Sequence, residues 1–133
     1  MCIRDRLLAA ALLDMELHNL TDTDNLNVVA FEKETMDKLG LIPEIAPRYR
    51  ATYFSHIIGG YAAGYYSYLW AEVLDTDAFE AFKEHGVFDK NTADSFRKNI
   101  LEKGGTEDPM TLYRGFRGAD PSLEPLLKNR GLK

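Results

Sequence analysis

The stretch at residues 53–73, YFSHIIGGYAAGYYSYLWAEV, constrains the fold more than any other part of the chain. It contains five of the seven tyrosines, three of the ten glycines and the only tryptophan. Tyr61, Tyr65 and Tyr68 are spaced i, i+4, i+7, so on an α-helix their rings share one face. The spacing therefore predicts a helix that carries a row of phenol groups.

A second row of residues lies on the opposite side of the same predicted helix and consists of Tyr66, Trp70 and Val73. Apolar or aromatic residues on both sides predict that this helix is buried on nearly every side. Gly59 and Gly60 precede it. A Gly-Gly pair does not readily extend a helix, but it adopts backbone angles denied to other residues and lets a ligand approach the main chain closely.

Two interpretations of the tyrosine row compete. Aromatic residues at helical spacing usually pack in a core, which is the structural interpretation. However, each buried hydroxyl without a hydrogen-bond partner costs about 1–3 kcal/mol, so tyrosine is a costly residue with which to fill a core. Three phenols on one face, preceded by His56 and the glycine pair, therefore favour a polar cavity.

At these residues the chain resembles a known family. The run HIIGGYAAGYYSYLWAEVLDTDAF at residues 56–79 and the later run FRKNILEKGGTEDPMTLYRGFRGADPSLEPLLKNRGL resemble the C-terminal segment of the thimet-oligopeptidase family of zinc metallopeptidases, in particular its peptidyl-dipeptidase (dipeptidyl carboxypeptidase) branch. The resemblance extends from about Leu7 to the end. It implies an all-α fold, namely the helical C-terminal part of a zincin-like, largely helical catalytic domain, in an enzyme that hydrolyses short peptides.

The resemblance implies roles for six residues on the side of the cleft that faces the zinc: His56, Tyr61 and Tyr68 as catalytic residues, and Gly59, Gly60 and Tyr65 as substrate-binding residues. We expect Tyr68 to be the first hydrogen-bond donor to the oxyanion, because the tyrosine pKa of about 10 keeps its hydroxyl protonated at neutral pH. Tyr61 is expected to bind the substrate backbone or to share that task. For Tyr65, contact with the substrate and packing against Tyr61 both remain open.

The zinc motif of that family, a His-Glu-x-x-His helix with a downstream glutamate, is absent from this sequence. The histidines are His18, His56 and His85, and no two of them stand at i, i+4. We therefore expect residues 7–133 to be a C-terminal fragment, inactive alone, of an enzyme whose zinc ligands lie in a missing N-terminal part. His18 and His85 are most simply structural residues.

Residues 1–6, MCIRDR, resemble translated adaptor sequence and are excluded from the fold prediction. After them, residues 7–20 begin in full helical periodicity without a preceding capping residue, as expected of a helix that is cut partway. We predict five to seven helices and no strands. Expected helix boundaries include a helix at residues 25–39 that stops at Gly40, a break with a new cap at residues 75–77, and caps at Asp89, Asp108 and Asp120.

The formal net charge of −5 gives no support for binding to nucleic acid or to an anionic membrane. Residues 14–38 hold seven acids and two lysines, which is typical of a solvated helix face. No apolar run approaches the roughly 20 residues of a membrane span, and the single Cys2 excludes an internal disulfide. The expected partners are a peptide substrate and the missing part of the polypeptide, and the expected location is the cytoplasm, with the periplasm or export as the alternative.

Two alternatives to a peptidase fragment remain at this point. One is a small helical module whose aromatic face binds a peptide or a partner helix. The other is a structural helical subdomain whose phenols are hydrogen-bonded inside the core. Arg48 and Arg50 are similarly open to two interpretations, since each could receive a substrate carboxylate or form a structural ion pair.

Overall fold

The computed structural model describes residues 3–133, and their side chains from Asp5 onward. Within this range the chain forms six α-helices, three shorter helical segments and no β-strand. The α-helices are α1 (Ile3–His18), α2 (Val28–Lys38), α3 (Ser67–His85), α4 (Lys90–Phe96), α5 (Pro109–Arg117) and α6 (Glu124–Asn129). The shorter segments are two 3₁₀-helices, Ala51–Tyr53 and Ser55–Ile58, and the π-helical turn Arg97–Leu101. The all-α prediction is confirmed, whereas the origin of residues 1–6 stays a prediction.

The chain divides into two compact units, residues 1–69 and 70–133, and the division falls within α3. In the first unit, the core forms where small residues of α1 meet aromatic rings. Ala10 and Ala11 are buried against Phe54, Ile57 and Tyr65. The two alanines leave room for the rings, and the centroids of Phe54 and Tyr65 lie 4.8 Å apart in an edge-to-face arrangement.

Helix α2 begins three residues later than predicted. Asn25 has a φ of 61°, in the left-handed region, so the helix cannot include it. Instead Asn27 caps α2, because its side-chain oxygen accepts a hydrogen bond from the amide of Ala30 at 3.0 Å. The predicted stop is correct, since Gly40 has a φ of 65° just after the helix.

The predicted break at residues 75–77 is wrong, because α3 continues through it without interruption. The hydroxyl of Thr76 donates to the carbonyl of Glu72 at 2.7 Å, a bond made within the helix. Asp77 is buried and accepts a hydrogen bond from the Tyr113 hydroxyl at 2.5 Å. Its carboxylate therefore serves a tertiary contact of the second unit and does not cap a helix.

The second unit shows which of the remaining predicted caps form. Asp89 accepts from the amide of Thr92 at 2.7 Å at the start of α4, and Asp108 accepts from the amide of Thr111 at 3.0 Å at the start of α5. Asp120 does not cap α6, which begins only at Glu124. The carboxylate of Asp120 instead pairs with Arg114 at 2.6 Å.

The predicted burial of the tyrosine helix on nearly every side is also wrong. Val73 is buried, but Tyr66 and Trp70 are 51% and 46% exposed. None of the helices described between residues 3 and 133 combines the length and the apolar composition that a membrane span requires.

Candidate functional site

The segment at residues 59–66, which we call the tyrosine loop, is a series of tight turns and not the helix that its tyrosine spacing predicts. Backbone amides in it donate to carbonyls three residues earlier, as from Gly64 to Tyr61 at 2.9 Å. Ala63 has a φ of 52°, which an α-helix does not accommodate. The prediction of one helix that carries all three tyrosines is therefore wrong, since only Tyr68 belongs to α3.

The three tyrosine rings nevertheless lie together. The rings of Tyr61 and Tyr68 are stacked, with centroids 5.4 Å apart and an interplanar angle of 19°. The ring of Tyr65 meets that of Tyr68 at 5.1 Å in an edge-to-face arrangement. The chain thus brings together the phenols that the sequence placed on one face, although it does so through a loop that leads into a helix.

His56 packs against this cluster of three tyrosine rings. Its ring centroid is 5.2 Å from that of Tyr65 and 6.1 Å from that of Tyr61. The ring of Tyr49 also packs against His56, with 4.7 Å between the two centroids. The Nδ1 atom of His56 is buried without a hydrogen-bond partner among the described residues, and the imidazole packs against aromatic rings.

Exposure separates the tyrosines into two kinds. Tyr61 and Tyr68 are each 42% exposed and can contact a ligand, whereas Tyr65 is 2% exposed and belongs to the core of the first unit. Of the two interpretations of Tyr65, this burial favours packing. Tyr65 then acts as the support on which the rings of His56 and Tyr68 rest.

The pKa values of Tyr65 and Tyr68 both lie above the ordinary value for tyrosine. A side-chain hydrogen-bond interaction with Tyr61 raises the pKa of Tyr68 above its ordinary value, and burial adds to this shift. Burial is the main cause that raises the pKa of Tyr65, and the nearby charge of Arg48 opposes it. Both shifts move the pKa further above neutrality, so both hydroxyls keep their protons at pH 7.

The two glycines of the loop, Gly59 and Gly60, are not required by local packing. A Cβ built on either of them meets no atom within 4 Å, and neither has a φ in the left-handed region. The structure therefore gives no steric reason of its own for glycine at these two positions. A role in admitting a ligand, or in allowing the loop to move, is consistent with this open space.

The prediction of a solvated helix face for the acidic residues 14–38 is wrong for Asp14, which holds the tyrosine loop in place. This residue of α1 is fully buried, and its carboxylate accepts hydrogen bonds from the amides of Ala63 at 3.0 Å and Tyr65 at 2.9 Å. Its signal in the sequence is a charged residue between Leu13 and Met15, inside an otherwise apolar run. A buried carboxylate is costly unless several donors satisfy it, which indicates a specific structural task.

The two arginines ahead of the cluster differ. Arg50 forms an ion pair with the buried carboxylate of Glu32, which supports the structural interpretation of that residue. Arg48 is exposed and, within the part of the chain that the structure describes, pairs with no carboxylate. Its guanidinium lies 5.6 Å from the ring centroid of Tyr49, at the edge of the aromatic cluster.

The described residues do not form a metal site. Between residues 3 and 133 no three His, Cys, Asp or Glu side chains come close enough to hold a metal ion. Nδ1 of His18 contacts Asp14, and Nδ1 of His85 contacts the carbonyl oxygen of Ala81 at 2.9 Å. The donors from Asp5 onward, whose side chains the structure describes, therefore do not fit a zinc ion.

Comparison with known proteins identifies the family. The family model of peptidase family M3 matches residues 5–132. The chain belongs to peptidase family M3. This membership confirms the resemblance that the histidine, the Gly-Gly-Tyr run and the following tyrosines indicated.

Several curated members of family M3 are similar to the chain. Dipeptidyl carboxypeptidase of Escherichia coli (strain K12) is 45% identical over 133 residues, which cover 95% of this chain and 19% of that protein. Oligopeptidase A of Haemophilus influenzae is 42% identical over 129 residues, covering 96% of this chain and 19% of that protein. Thimet-like oligopeptidase of Dictyostelium discoideum is 30% identical over 127 residues, which cover 96% of this chain and 19% of that protein. The chain thus spans about a fifth of the length of these relatives.

Proposed function

We propose that this chain forms the substrate-binding and oxyanion-stabilising side of the cleft in a zinc-dependent peptidase that hydrolyses short peptides. The observation that carries the proposal is the pair of stacked, partly exposed phenols of Tyr61 and Tyr68, supported from behind by Tyr65 and His56. Membership in family M3 favours this function over a helical binding module or a purely structural subdomain.

The proposed role of Tyr68 follows from the charge that develops during peptide hydrolysis. When water adds to the scissile carbonyl, negative charge accumulates on the carbonyl oxygen. A positioned donor to that oxygen is worth about 10²–10³ in rate. Tyr68 lies in the first turn of α3, is partly exposed and has a raised pKa, so it offers a fixed and protonated hydroxyl.

The remaining residues of the site have supporting roles in this proposal. Tyr61, stacked on Tyr68, binds the substrate backbone or shares the oxyanion, and His56 donates from a ring nitrogen. Gly59 and Gly60 leave open space beside the loop, so that a bound peptide can approach the main chain. Tyr65 keeps its place in the site, but as a support and not as a substrate contact.

The zinc ion of the proposed enzyme has its ligands outside this chain, because the described residues do not fit one. The contribution of this chain is therefore limited to binding, orientation and hydrogen-bond donation. A cytoplasmic location stays a prediction, as does the choice between dipeptide release and internal cleavage.

A chimera tests the proposal. In Escherichia coli dipeptidyl carboxypeptidase, the matching fifth of the polypeptide is replaced by residues 7–133 of this chain, to which it is 45% identical. We expect this chimera to bind zinc and to hydrolyse short peptides, and we expect Tyr68→Phe to remove most of that activity. Tyr66→Phe is the matched control, because Tyr66 is also exposed and lies two residues from Tyr68 but does not belong to the stacked pair. A folded, zinc-loaded chimera without activity would contradict the proposal.

A further inference from the structure

We propose that Asp14 is a positioning residue of the site, which fixes the second half of the tyrosine loop and thereby the rings of Tyr65 and Tyr68. The inference rests on the proposed function for its consequence in catalysis. The anchor itself rests on geometry alone.

The first step concerns the acceptors of the backbone amides in the tyrosine loop. The amides of Gly64 and Ser67 donate to backbone carbonyls within the loop, but those of Ala63 and Tyr65 have no backbone acceptor there. Their acceptors are the two carboxylate oxygens of Asp14, Oδ1 for Ala63 and Oδ2 for Tyr65. A buried amide without an acceptor is costly, so Asp14 supplies what the non-helical backbone lacks.

The second step concerns the groups that surround the carboxylate of Asp14. Asp14 is fully buried, and Nδ1 of His18, one turn further along α1, lies 2.9 Å from its Oδ1 and 2.8 Å from its carbonyl oxygen. Two backbone amides and one ring nitrogen therefore surround the side chain. Charge-assisted hydrogen bonds of this kind are shorter and stronger than neutral ones, so the carboxylate holds the second half of the loop, at Ala63 and Tyr65, in one conformation.

The third step connects the anchor to the proposed chemistry. Tyr65, whose amide Asp14 binds, has its ring 5.2 Å from His56 and 5.1 Å from Tyr68. A shift of the Tyr65 backbone therefore moves two residues of the site together. Because a displacement of about 1 Å can cost about 10²-fold in rate, the anchor acts on catalysis without touching the substrate.

A second buried carboxylate in the same unit provides a matched control. Glu32 of α2 is buried, accepts a hydrogen bond from the amide of Ala51 at 2.6 Å and pairs with Arg50. Glu32→Gln thus disturbs the first unit in the same chemical way as Asp14→Asn. The amide that Glu32 binds belongs to the 3₁₀-helix Ala51–Tyr53 and not to the tyrosine loop.

The direct test of the anchor is backbone amide exchange in the full 133-residue chain, measured by mass spectrometry on peptides from residues 59–66. We expect Asp14→Asn to accelerate exchange in these peptides by about tenfold or more, since an amide held by a lost bond exchanges through local opening. Glu32→Gln should leave them unchanged. Unchanged exchange in Asp14→Asn would overturn the proposal. If Asp14→Asn fails to fold by circular dichroism, Asp14→Glu, which keeps the charge but moves the oxygens, should show the same effect.

The kinetic test uses the chimera described above. We expect Asp14→Asn to lower kcat about tenfold or more while KM stays within a few-fold, because the displaced groups act mainly in the transition state. Glu32→Gln should keep kcat within about twofold at a comparable loss of Tm. Equal losses of kcat in both variants would mean that Asp14 contributes only stability. If Tyr68→Phe leaves kcat unchanged while Asp14→Asn still accelerates exchange, the proposed function fails and the anchor stands.

Discussion

The ring of Tyr61 lies nearly parallel to that of Tyr68, with 5.4 Å between the centroids, although Tyr61 belongs to a loop and Tyr68 to the first turn of α3. The stack places two hydroxyl-bearing rings of similar exposure side by side. One of them is carried by a segment that contains three glycines and the other by a regular helix. The pair thus combines an adaptable donor with a fixed one.

Tyr68→Phe in the chimera should lower kcat by about 10² and leave KM within a few-fold, as expected for a donor used mainly in the transition state. Steady-state kinetics on a short peptide measure this change. Tyr66→Phe should keep both parameters close to those of the parent chimera. An unchanged kcat in Tyr68→Phe would assign this residue to packing.

In the chimera, Gly59→Ala and Gly60→Ala should each reduce peptide turnover several-fold. The zinc content and the Tm should stay close to those of the chimera without the substitution. The reason is that a methyl group at either position meets no atom within 4 Å, so the fold tolerates it, whereas a bound peptide or a moving loop does not. Metal analysis and thermal unfolding measured beside the kinetics test this separation. Parallel losses of turnover, zinc and Tm would show that the glycines serve the fold.

The 133-residue chain by itself should neither bind zinc tightly nor hydrolyse peptides. Its described residues do not bring three metal-ligating side chains together, and the role proposed for its tyrosines depends on a metal that they cannot hold. Titration calorimetry with zinc and a fluorogenic peptide assay check this expectation. Submicromolar one-to-one zinc binding, together with cleavage that a chelator abolishes, would require a site elsewhere in the chain.

Tyr113→Phe should destabilise the second unit by about 1–3 kcal/mol, because it removes a buried hydrogen bond and leaves the carboxylate of Asp77 with one partner fewer. Tyr113 and Asp77 are both buried, and Arg117 lies 3.4 Å from the same carboxylate. Urea unfolding monitored by circular dichroism measures the change. Tyr66→Phe, at an exposed position, should stay within about 0.5 kcal/mol of the parent.

The same tyrosine predicts a pH dependence. Burial, followed by the hydrogen bond to Asp77, raises the pKa of Tyr113 well above its ordinary value. The folded state then keeps the proton where the unfolded chain releases it, so stability falls as the pH rises above the unfolded pKa of about 10. Tyr113→Phe removes this contribution and should give a flatter profile of unfolding free energy at alkaline pH. Equal slopes in both proteins would contradict the prediction.

The features that the sequence predicted correctly depend on short-range interactions. Asp89 and Asp108 cap their helices through amides three residues away, so the pattern of a few neighbouring residues is sufficient. Asp77 resembles a cap in the same local pattern, but its partner Tyr113 lies 36 residues away and decides the outcome. The residues next to Asp77 in the sequence therefore do not reveal that its partner is Tyr113.

The candidate site shows the same difference between short-range and long-range interactions. The spacing of Tyr61, Tyr65 and Tyr68 predicted that their phenols share one face, and the rings do come together, although not on the predicted helix. The loop conformation was not predictable, because it depends on Asp14, which is 49 residues from Ala63 in sequence. Tertiary contacts therefore overrode the helical spacing of the tyrosines.

The bond from Asp14 to the tyrosine loop has a consequence for the order in which the site is assembled. During synthesis the acceptor emerges from the ribosome 49 residues ahead of its first donor. Closing a chain segment of that length costs conformational entropy, so we expect this contact to form after the local contacts within α1. We therefore expect the tyrosines to gain their final arrangement only after α1 has docked against the tyrosine loop, so the stacking of Tyr61 on Tyr68 would report that the first unit has folded.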